Sequence, residues 1–400
     1  MINTENYINV KAGNSAASCT ARAMTRRERL MATLRGETVD RPAFSFYEIN
    51  GFDQDADNSD PFNIYSDPSW RPLIELACEK TDRIVMRDVK CVNGIADPMR
   101  EIAEEKTCAE NGSRIIVTAI KAGNRTLTSR TRRNPDVDTV WTDEHLLKDT
   151  EDLKAFLNIP LPQFTATPDV SDILEAEKKL GDSGIVMIDT PDPLCCAAAL
   201  FDMAAFTMIA MTEPELFERL ISRFAEFLHA KTEAIARTLP GRLWRIYGPE
   251  YASPPYLPPY LFKQYVCAYD TPMVQTIQKN GGYARIHSHG NLHDILDDIV
   301  SMNPAGLDPV EPPPQGDVEL KYVREKHGKD MVLFGNLEAS DIENLPTSQF
   351  AEKVKRALDE GAHGSGRGFV LMPSACPYGR KLSSVALKNY EAIVEIVEKW

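Results

Sequence analysis

Short apolar runs recur along the chain, and longer amphipathic stretches separate most of them. The runs predict eight strands, at 42–47 (PAFSFY), 83–86 (RIVM), 184–188 (GIVMI), 243–247 (LWRIY), 283–287 (YARIH), 306–310 (GLDPV), 331–334 (MVLF) and 368–372 (GFVLM). Apolar residues at helical spacing predict helices at 213–238, 259–279, 292–302, 320–327 and 347–360. Eight strands separated by helices indicate a (β/α)₈ barrel of the TIM type. A doubly wound sheet is the alternative that this pattern leaves open.

The alternation of strands and helices is interrupted between the second and third predicted strands. Segments 114–121 and 125–133 flank Gly123 and Asn124, and this arrangement predicts a β-hairpin. We expect this hairpin to be an insertion after the second strand, at one rim of the barrel.

The chain divides into a short extension and one large unit. Residues 1–24 are mostly polar or small, and we predict that they form an N-terminal extension. The following run, TRRERLMATLRG, has apolar residues at helical spacing and ends at Gly36, a helix stop signal. Because a barrel with insertions reaches the remaining length as one unit, we predict a single domain over residues 25–400.

The composition is that of a globular protein with an acidic surface. The chain is 43% hydrophobic and 26% charged, and its net charge of −14 opposes binding to nucleic acid or to an anionic membrane. The eight cysteines have no regular spacing, which favours a reducing compartment over a disulfide-stabilised secreted fold. Neither a membrane-spanning apolar segment nor a signal peptide is apparent, so we expect a cytoplasmic protein.

Polar side chains follow each predicted strand, at the end where barrel enzymes carry their active sites. They are Glu48, Arg87, Asp88, Asp189, Asp192, Glu250, His287, His289, Glu311, Asn336 and Cys376. A rim exposed to water is also polar, so no single residue of this set is decisive. Among them we select Glu250, Asp192 and Asn336 as candidate catalytic residues.

The segment RIHSHGN contains the first candidate metal ligands, His287 and His289. Residues i and i+2 of a strand face the same side, so the two imidazoles could converge on one ion such as Zn²⁺. Gly290 lets the chain turn close to that site. The alternative is structural: one histidine caps the following helix, and the other is buried and hydrogen-bonded.

Two further candidates come from other strand ends. Cys376, in PSACPYG after the last strand, completes a His/His/Cys set that suits catalytic zinc with an open position. Glu250, in YGPEYASPPYLPP, could be a fourth ligand or a general base. The structural alternatives are a small buried cysteine and a rim carboxylate paired with an arginine.

With these residues the chain resembles the uroporphyrinogen decarboxylase superfamily, over about residues 24–400. The features that carry the resemblance are TRRERLMATLRGETVDRPAF, IHSHGN, FGNLEASDIENLPT and the closing PSACPYG with its following helix. The resemblance implies a distorted (β/α)₈ barrel. Members of this superfamily often pair through barrel faces, so a homodimer is one expected assembly.

The superfamily divides by chemistry. Its porphyrinogen decarboxylases carry an R-Q-A-G-R motif, which the matching segment RPAFSFYEINGF lacks. Another large branch comprises zinc-dependent methyltransferases that work with corrinoid proteins and bind zinc through His-x-Cys and a later cysteine. By position, His287 matches the histidine, His289 replaces the first cysteine and Cys376 matches the second.

The replacement of a thiolate by a neutral imidazole leaves the zinc more electrophilic, although a Glu250 ligand would cancel that gain. We therefore expect a methyltransferase that uses zinc as a Lewis acid on an O-methyl donor, for example a methoxylated aromatic, and passes the methyl group to a corrinoid protein. One alternative is a metal-free decarboxylase with Arg41, Arg87 and Arg285 inside the barrel mouth. Another is a binding protein without turnover.

Overall fold

The computed structural model describes residues 23–364 and 366–400. The predicted extension over residues 1–24 therefore lies outside the described residues, apart from Ala23 and Met24. The first helix begins at a capping box, in which the side chain of Thr25 accepts from the backbone of Glu28 and the Glu28 side chain accepts in return. It ends at Gly36, which has the left-handed backbone (φ 72°) that favours glycine.

Fourteen strands lie within the described residues. Numbered in chain order, they are β1 (Ala43–Phe44), β2 (Arg83–Arg87), β3 (Cys91–Val92), β4 (Ala103–Glu110), β5 (Ser113–Ala122), β6 (Arg125–Arg133), β7 (Val140–Glu144), β8 (Thr167–Pro168), β9 (Gly184–Pro191), β10 (Leu243–Tyr247), β11 (Tyr283–Ser288), β12 (Gly306–Pro309), β13 (Val332–Leu337) and β14 (Phe369–Pro373).

Fifteen α-helices lie in the same part of the chain. They are α1 (Arg26–Arg35), α2 (Arg71–Lys80), α3 (Pro98–Ile102), α4 (Thr150–Leu157), α5 (Ser171–Leu180), α6 (Pro193–Ala198), α7 (Met203–Thr212), α8 (Pro214–Thr238), α9 (Pro259–Phe262), α10 (Ala268–Lys279), α11 (Leu296–Ser301), α12 (Leu320–His327), α13 (Ala339–Asn344), α14 (Thr347–Gly361) and α15 (Ser384–Val397). None of the described helices combines the length and the apolar character that a membrane crossing needs.

Eight strands form one parallel sheet that closes into a nearly complete barrel, in the order β1-β14-β13-β12-β11-β10-β9-β2. Each of the eight predicted strands is one member of this sheet, so the prediction of a (β/α)₈ barrel is confirmed and the doubly wound alternative is wrong. The strands are almost continuously apolar, as expected where helices cover the sheet and side chains fill the barrel.

Asp82 lies at the seam of the barrel, where β1 and β2, the two end strands of the sheet, face each other without pairing. Its backbone N–H donates to the carbonyl of Phe44 (2.8 Å), and its carboxylate accepts from the Phe44 N–H (3.0 Å). The same buried carboxylate forms ion pairs with Arg29 and Arg41. One side chain therefore links the first helix, the first strand and the second strand.

The predicted hairpin segments correspond to β5 and β6, which pair antiparallel with Ala122 opposite Arg125. Gly123 of the turn has φ 64°. The insertion is larger than a hairpin, because β4 and β7 extend it to a four-stranded antiparallel sheet in the order β4-β5-β6-β7. After β6, an isolated antiparallel bridge joins Val137 to Gly379, and this contact attaches the insertion to the loop after β14.

Candidate functional site

A cavity of about 330 Å³ opens at the carboxyl ends of the barrel strands. All four predicted metal ligands, His287, His289, Cys376 and Glu250, line it. The other lining residues are Tyr47, Glu48, Asp138, Arg245, Tyr247, Ser374, Ala375 and Tyr378. The structure thus brings together residues from distant parts of the sequence in one candidate site.

His287 lies near the end of β11, where it is held by a buried carboxylate. Its Nδ1 is 2.7 Å from Oδ2 of Asp308, which lies directly opposite in the register of β11 and β12. Burial opposes ionisation of Asp308, but the charges of Arg285 and His287 outweigh it and lower the pKa of that carboxyl. Because an ionised carboxylate only accepts, Nδ1 of His287 carries the proton, and Nε2 is the nitrogen available to a metal.

His289 has an analogous arrangement one step further along the chain. Its Nδ1 is 2.8 Å from Oε1 of Glu311, whose other oxygen accepts from the N–H of Gly290 at 2.8 Å. Burial lowers the pKa of His289, but its hydrogen bond with Glu311 and the charges of Glu311, Glu250 and Asp308 together outweigh burial and raise the pKa above its ordinary value. The rings of His287 and His289 are 4.7 Å apart between centroids and nearly perpendicular.

Cys376 reaches the cavity from the loop after β14. Its Sγ lies 3.0 Å from Oε2 of Glu48, the first charged residue after β1. Burial raises the pKa of the Cys376 thiol well above its ordinary value, and the charges of Glu48 and Asp138 raise it further. Without a metal, the sulfur is therefore a protonated thiol that donates to Glu48.

These residues fit zinc in their donor chemistry. Within the described residues, no group of three or more His, Cys, Asp and Glu side chains is already arranged as a metal centre. Nevertheless, His287 and His289 each have a carboxylate on Nδ1, the partner that commonly orients zinc-binding imidazoles. Cys376 lines the same cavity and could add a soft sulfur ligand once it is deprotonated.

Comparison with known proteins agrees with the barrel. Residues 130–400 match the sequence profile of the family described as uroporphyrinogen decarboxylase (URO-D). The chain belongs to the URO-D family. No curated protein sequence matches it.

Among solved structures, this URO-D family member is similar to a methyltransferase from Methanosarcina mazei. The two chains share 17% identity over 94% of this chain and 99% of the other, with a TM-score of 0.58. At that identity the likeness supports the common fold. A structure of D-psicose 3-epimerase in the presence of D-fructose overlaps less, with 11% identity, 58% and 83% coverage and a TM-score of 0.31; it carries no argument.

Glu250 of this URO-D protein lies in a 3₁₀ turn, Pro249–Ala252, directly after β10. Its Oε2 accepts from the backbone N–H of Gly248 at 3.1 Å. Among the described residues, no arginine or lysine forms an ion pair with it, which is unlike the structural alternative of a rim carboxylate paired with an arginine. Glu250 lines the cavity beside His289 and Cys376.

The other two candidate catalytic residues do not line the cavity. Asp192 is fully buried and caps α6, where its carboxylate accepts from the N–H of Cys195. Asn336, in β13, borders a separate hollow together with Glu338 and Phe350. Their catalytic roles stay predictions, and the structure places both outside the group formed by the histidines and Cys376.

Several lining residues were not selected from the sequence as site residues. Arg245 forms a two-pronged contact with Asp189, at 2.6 and 2.9 Å, and donates to the hydroxyl of Tyr47. A charged residue inside the apolar run LWRIY was the available signal for it. Asp138 reaches the cavity because its N–H donates to the carbonyl of Tyr378 at 2.7 Å, and no sequence pattern indicated that contact.

Proposed function

We propose that this URO-D family protein is a zinc-dependent methyltransferase. It moves a methyl group from an O-methyl donor, with methoxylated aromatics as the first candidates, to a corrinoid protein. One observation carries the proposal: His287 and His289 each place Nδ1 against a carboxylate, and both line the cavity that contains Cys376. Two imidazoles that are each oriented by a carboxylate on Nδ1, together with a thiol in the same cavity, are suited to bind catalytic zinc.

His287, His289 and Cys376 would hold the metal, with Glu250 as a candidate fourth ligand. When bound, zinc would supply Lewis-acid chemistry at the oxygen that leaves the methyl group. Asp308 and Glu311 hold the two imidazoles in the required tautomer. Metal binding releases a proton from a thiol, and Oε2 of Glu48, 3.0 Å from Sγ, is the atom positioned to accept it.

The cavity wall suits a flat aromatic donor. Tyr47, Tyr247 and Tyr378 line it, and the ring of Tyr47 lies nearly parallel to that of His287, at 20° and 6.1 Å between centroids. Aromatic side chains favour offset or edge contacts with another ring.

The metal-free decarboxylase is less compatible with the positions of its required arginines. Arg41 pairs with Asp82 at the barrel seam, and Arg87 pairs with Asp53. Arg285 is buried beneath the cavity, with its Nε 2.8 Å from Asp308. None of these three arginines lines the cavity, so no set of free guanidinium groups is available there to hold a carboxylated substrate.

The first test is the metal content of the purified protein beside a His287→Ala/Cys376→Ala double variant. We expect about one zinc per chain, by the ligand count of a single site, and its loss in the variant. His293→Ala is the matched control, because His293 lies in the same segment but is exposed, and its Nδ1 contacts Asp294 rather than a buried carboxylate. Absence of zinc from the native protein after reconstitution under reducing conditions would refute the proposal.

The second test is methyl transfer from a methoxylated aromatic to a cobalt(I) corrinoid protein. The corrinoid spectrum distinguishes cobalt(I) from methyl-cobalt(III), and the demethylated phenol is measured separately. We expect formation of both products with the zinc-loaded protein and with His293→Ala, but not with the double variant. Turnover of methanethiol without any turnover of methoxy compounds would contradict the assignment of an O-methyl donor.

A further inference from the structure

The cavity carries an excess of negative side chains. Glu48, Asp138 and Glu250 all line it, and they come from three separate segments: the end of β1, the insertion and the turn after β10. Oε2 of Glu48 lies 3.0 Å from Sγ of Cys376, so this carboxylate is at the centre of the site. Asp138 forms an ion pair with Arg133 of the insertion, so Glu48 and Glu250 supply most of the negative charge that acts on a molecule in the cavity.

The positive charge in this cavity is already neutralised. Arg245 is the only arginine or lysine among the described lining residues. Its Nε and Nη2 contact the two oxygens of Asp189, and its Nη1 donates to Tyr47. Asp189 thus occupies Nε and Nη2, the pair of donors that could otherwise bind both oxygens of a substrate carboxylate.

A bound metal would not reverse this balance. A zinc ion held through one thiolate and two neutral imidazoles adds a single net positive charge, and the two carboxylates of Glu48 and Glu250 together exceed it. Low-dielectric walls strengthen the remaining field. An anionic donor would therefore meet repulsion near the same histidines that a neutral donor could approach freely.

We propose that the cavity selects methyl donors by charge and takes neutral or cationic methoxylated aromatics in preference to methoxybenzoate anions. The inference rests on the proposed methyltransferase function and names the substrate class of that site. The carboxylates of Glu48, Asp138 and Glu250, together with the neutralised Arg245, are its specificity determinants. Tyr247 and Tyr378 line the same cavity and supply apolar contact to the ring of each donor.

Binding of three donors that share one ring tests the proposal directly. The substituent on the ring is an anion in vanillate, neutral in vanillyl alcohol and a cation in vanillylamine. Calorimetric titration of the full chain, with and without zinc, gives the affinity for each donor. At low salt we expect the alcohol and the amine to bind about tenfold more tightly than vanillate. The difference narrows at high salt, because exposed charges are screened. Equal or tighter binding of vanillate, or no binding of any of the three, overturns the inference.

A variant pair identifies the cause of the preference. Asp138→Asn removes one cavity charge, and we expect the discrimination against vanillate to fall roughly threefold, since this side chain is partly screened by solvent. Asp143→Asn is the matched control: Asp143 also pairs with an arginine of the insertion, Arg130, but does not line the cavity. Equal effects of both variants, or of neither, would contradict the role given to the cavity charge.

The same donors separate this inference from the proposed function. Methyl transfer that is fastest with vanillate would support the methyltransferase and refute the selection by charge. Charge-dependent binding without any methyl transfer to a corrinoid protein would refute the proposed function and support the selection by charge. The two proposals therefore fail by different results.

Discussion

The Sγ atom of Cys376 lies 3.0 Å from Oε2 of Glu48, a residue 328 positions earlier in the chain. The barrel produces this contact, because β1 and β14 are neighbours in the sheet and the two residues follow them. Burial and this contact together raise the pKa of Cys376, so the sulfur that a metal would meet is a thiol.

Glu48→Gln should make Cys376 more reactive in the zinc-free protein. Removal of the carboxylate removes a charge that disfavours the thiolate, so the pKa of Cys376 falls. The thiolate fraction near neutral pH then rises by about tenfold for each unit of pKa, and alkylation accelerates by about threefold per unit because a less basic thiolate is less nucleophilic. Alkylation by iodoacetamide, resolved for each cysteine by peptide mass spectrometry, measures this. Glu110→Gln is the control, because Glu110 is exposed on the insertion and lies near Cys108 instead. An unchanged rate at Cys376 would contradict the assigned role of Glu48.

Glu311→Gln should weaken zinc binding without removing any proposed ligand. Glu311 holds Nδ1 of His289, and loss of such a partner typically lowers metal affinity by about 10–100-fold. Competition with a chromophoric chelator gives the affinity. Asp294→Asn is the matched control, since Asp294 contacts Nδ1 of His293 at 3.0 Å in an exposed pair away from the cavity. Equal affinity of Glu311→Gln and the native protein would argue against His289 as a ligand.

The barrel and the principal cavity residues could be predicted from the sequence because both depend on local patterns. Each barrel strand is a short apolar run, and His287, His289 and Cys376 directly follow or end such runs. The helix predicted over 320–327 has the bounds observed for α12. In contrast, the helix predicted over 292–302 begins only at Leu296, because Asp317 accepts from the N–H groups of Leu292 and His293 and holds that segment as a turn.

The orienting partners of the site could not be found in the same way. Asp308 is one polar residue inside the strand GLDPV, and its relation to His287 depends on the register between two strands. Asp138 depends on how the insertion folds back onto the loop after β14. Both relations are set by tertiary pairing, which hydrophobic periodicity within one segment does not encode.

Asp82→Asn should destabilise the barrel without changing its zinc affinity. Asp82 is fully buried and neutralises Arg29 and Arg41 at the seam between β1 and β2, so the variant leaves buried positive charge with less compensation. Breaking such a buried pair typically costs about 3–5 kcal/mol. Urea unfolding measures the loss, and the chelator titration checks the site. Arg35→Gln is the control, because Arg35 pairs with Glu37 on the surface and should change stability by less than about 1 kcal/mol.

Asp270→Asn should flatten the dependence of stability on pH. Asp270 is fully buried in α10, and within the described chain neither of its carboxyl oxygens has a hydrogen-bond partner. Burial raises its pKa well above the ordinary value, and the charge of Glu250 raises it further. The folded protein therefore keeps a proton that the unfolded chain releases above about pH 4, so the free energy of unfolding declines as the pH rises from there toward the folded pKa.

The neutral amide removes this proton linkage, and we expect Asp270→Asn to be more stable than the native protein near pH 8 by on the order of 1 kcal/mol. Urea unfolding at a series of pH values measures the slope. Asp40→Asn is the control with the opposite sign: the hydrogen bonds of Asp40 with Arg29 lower its pKa to about 2, so its contribution is lost only on acidification. That variant should lose stability at neutral pH and keep the decline toward alkaline pH. A native slope retained in Asp270→Asn would show that Asp270 is ionised in the folded protein.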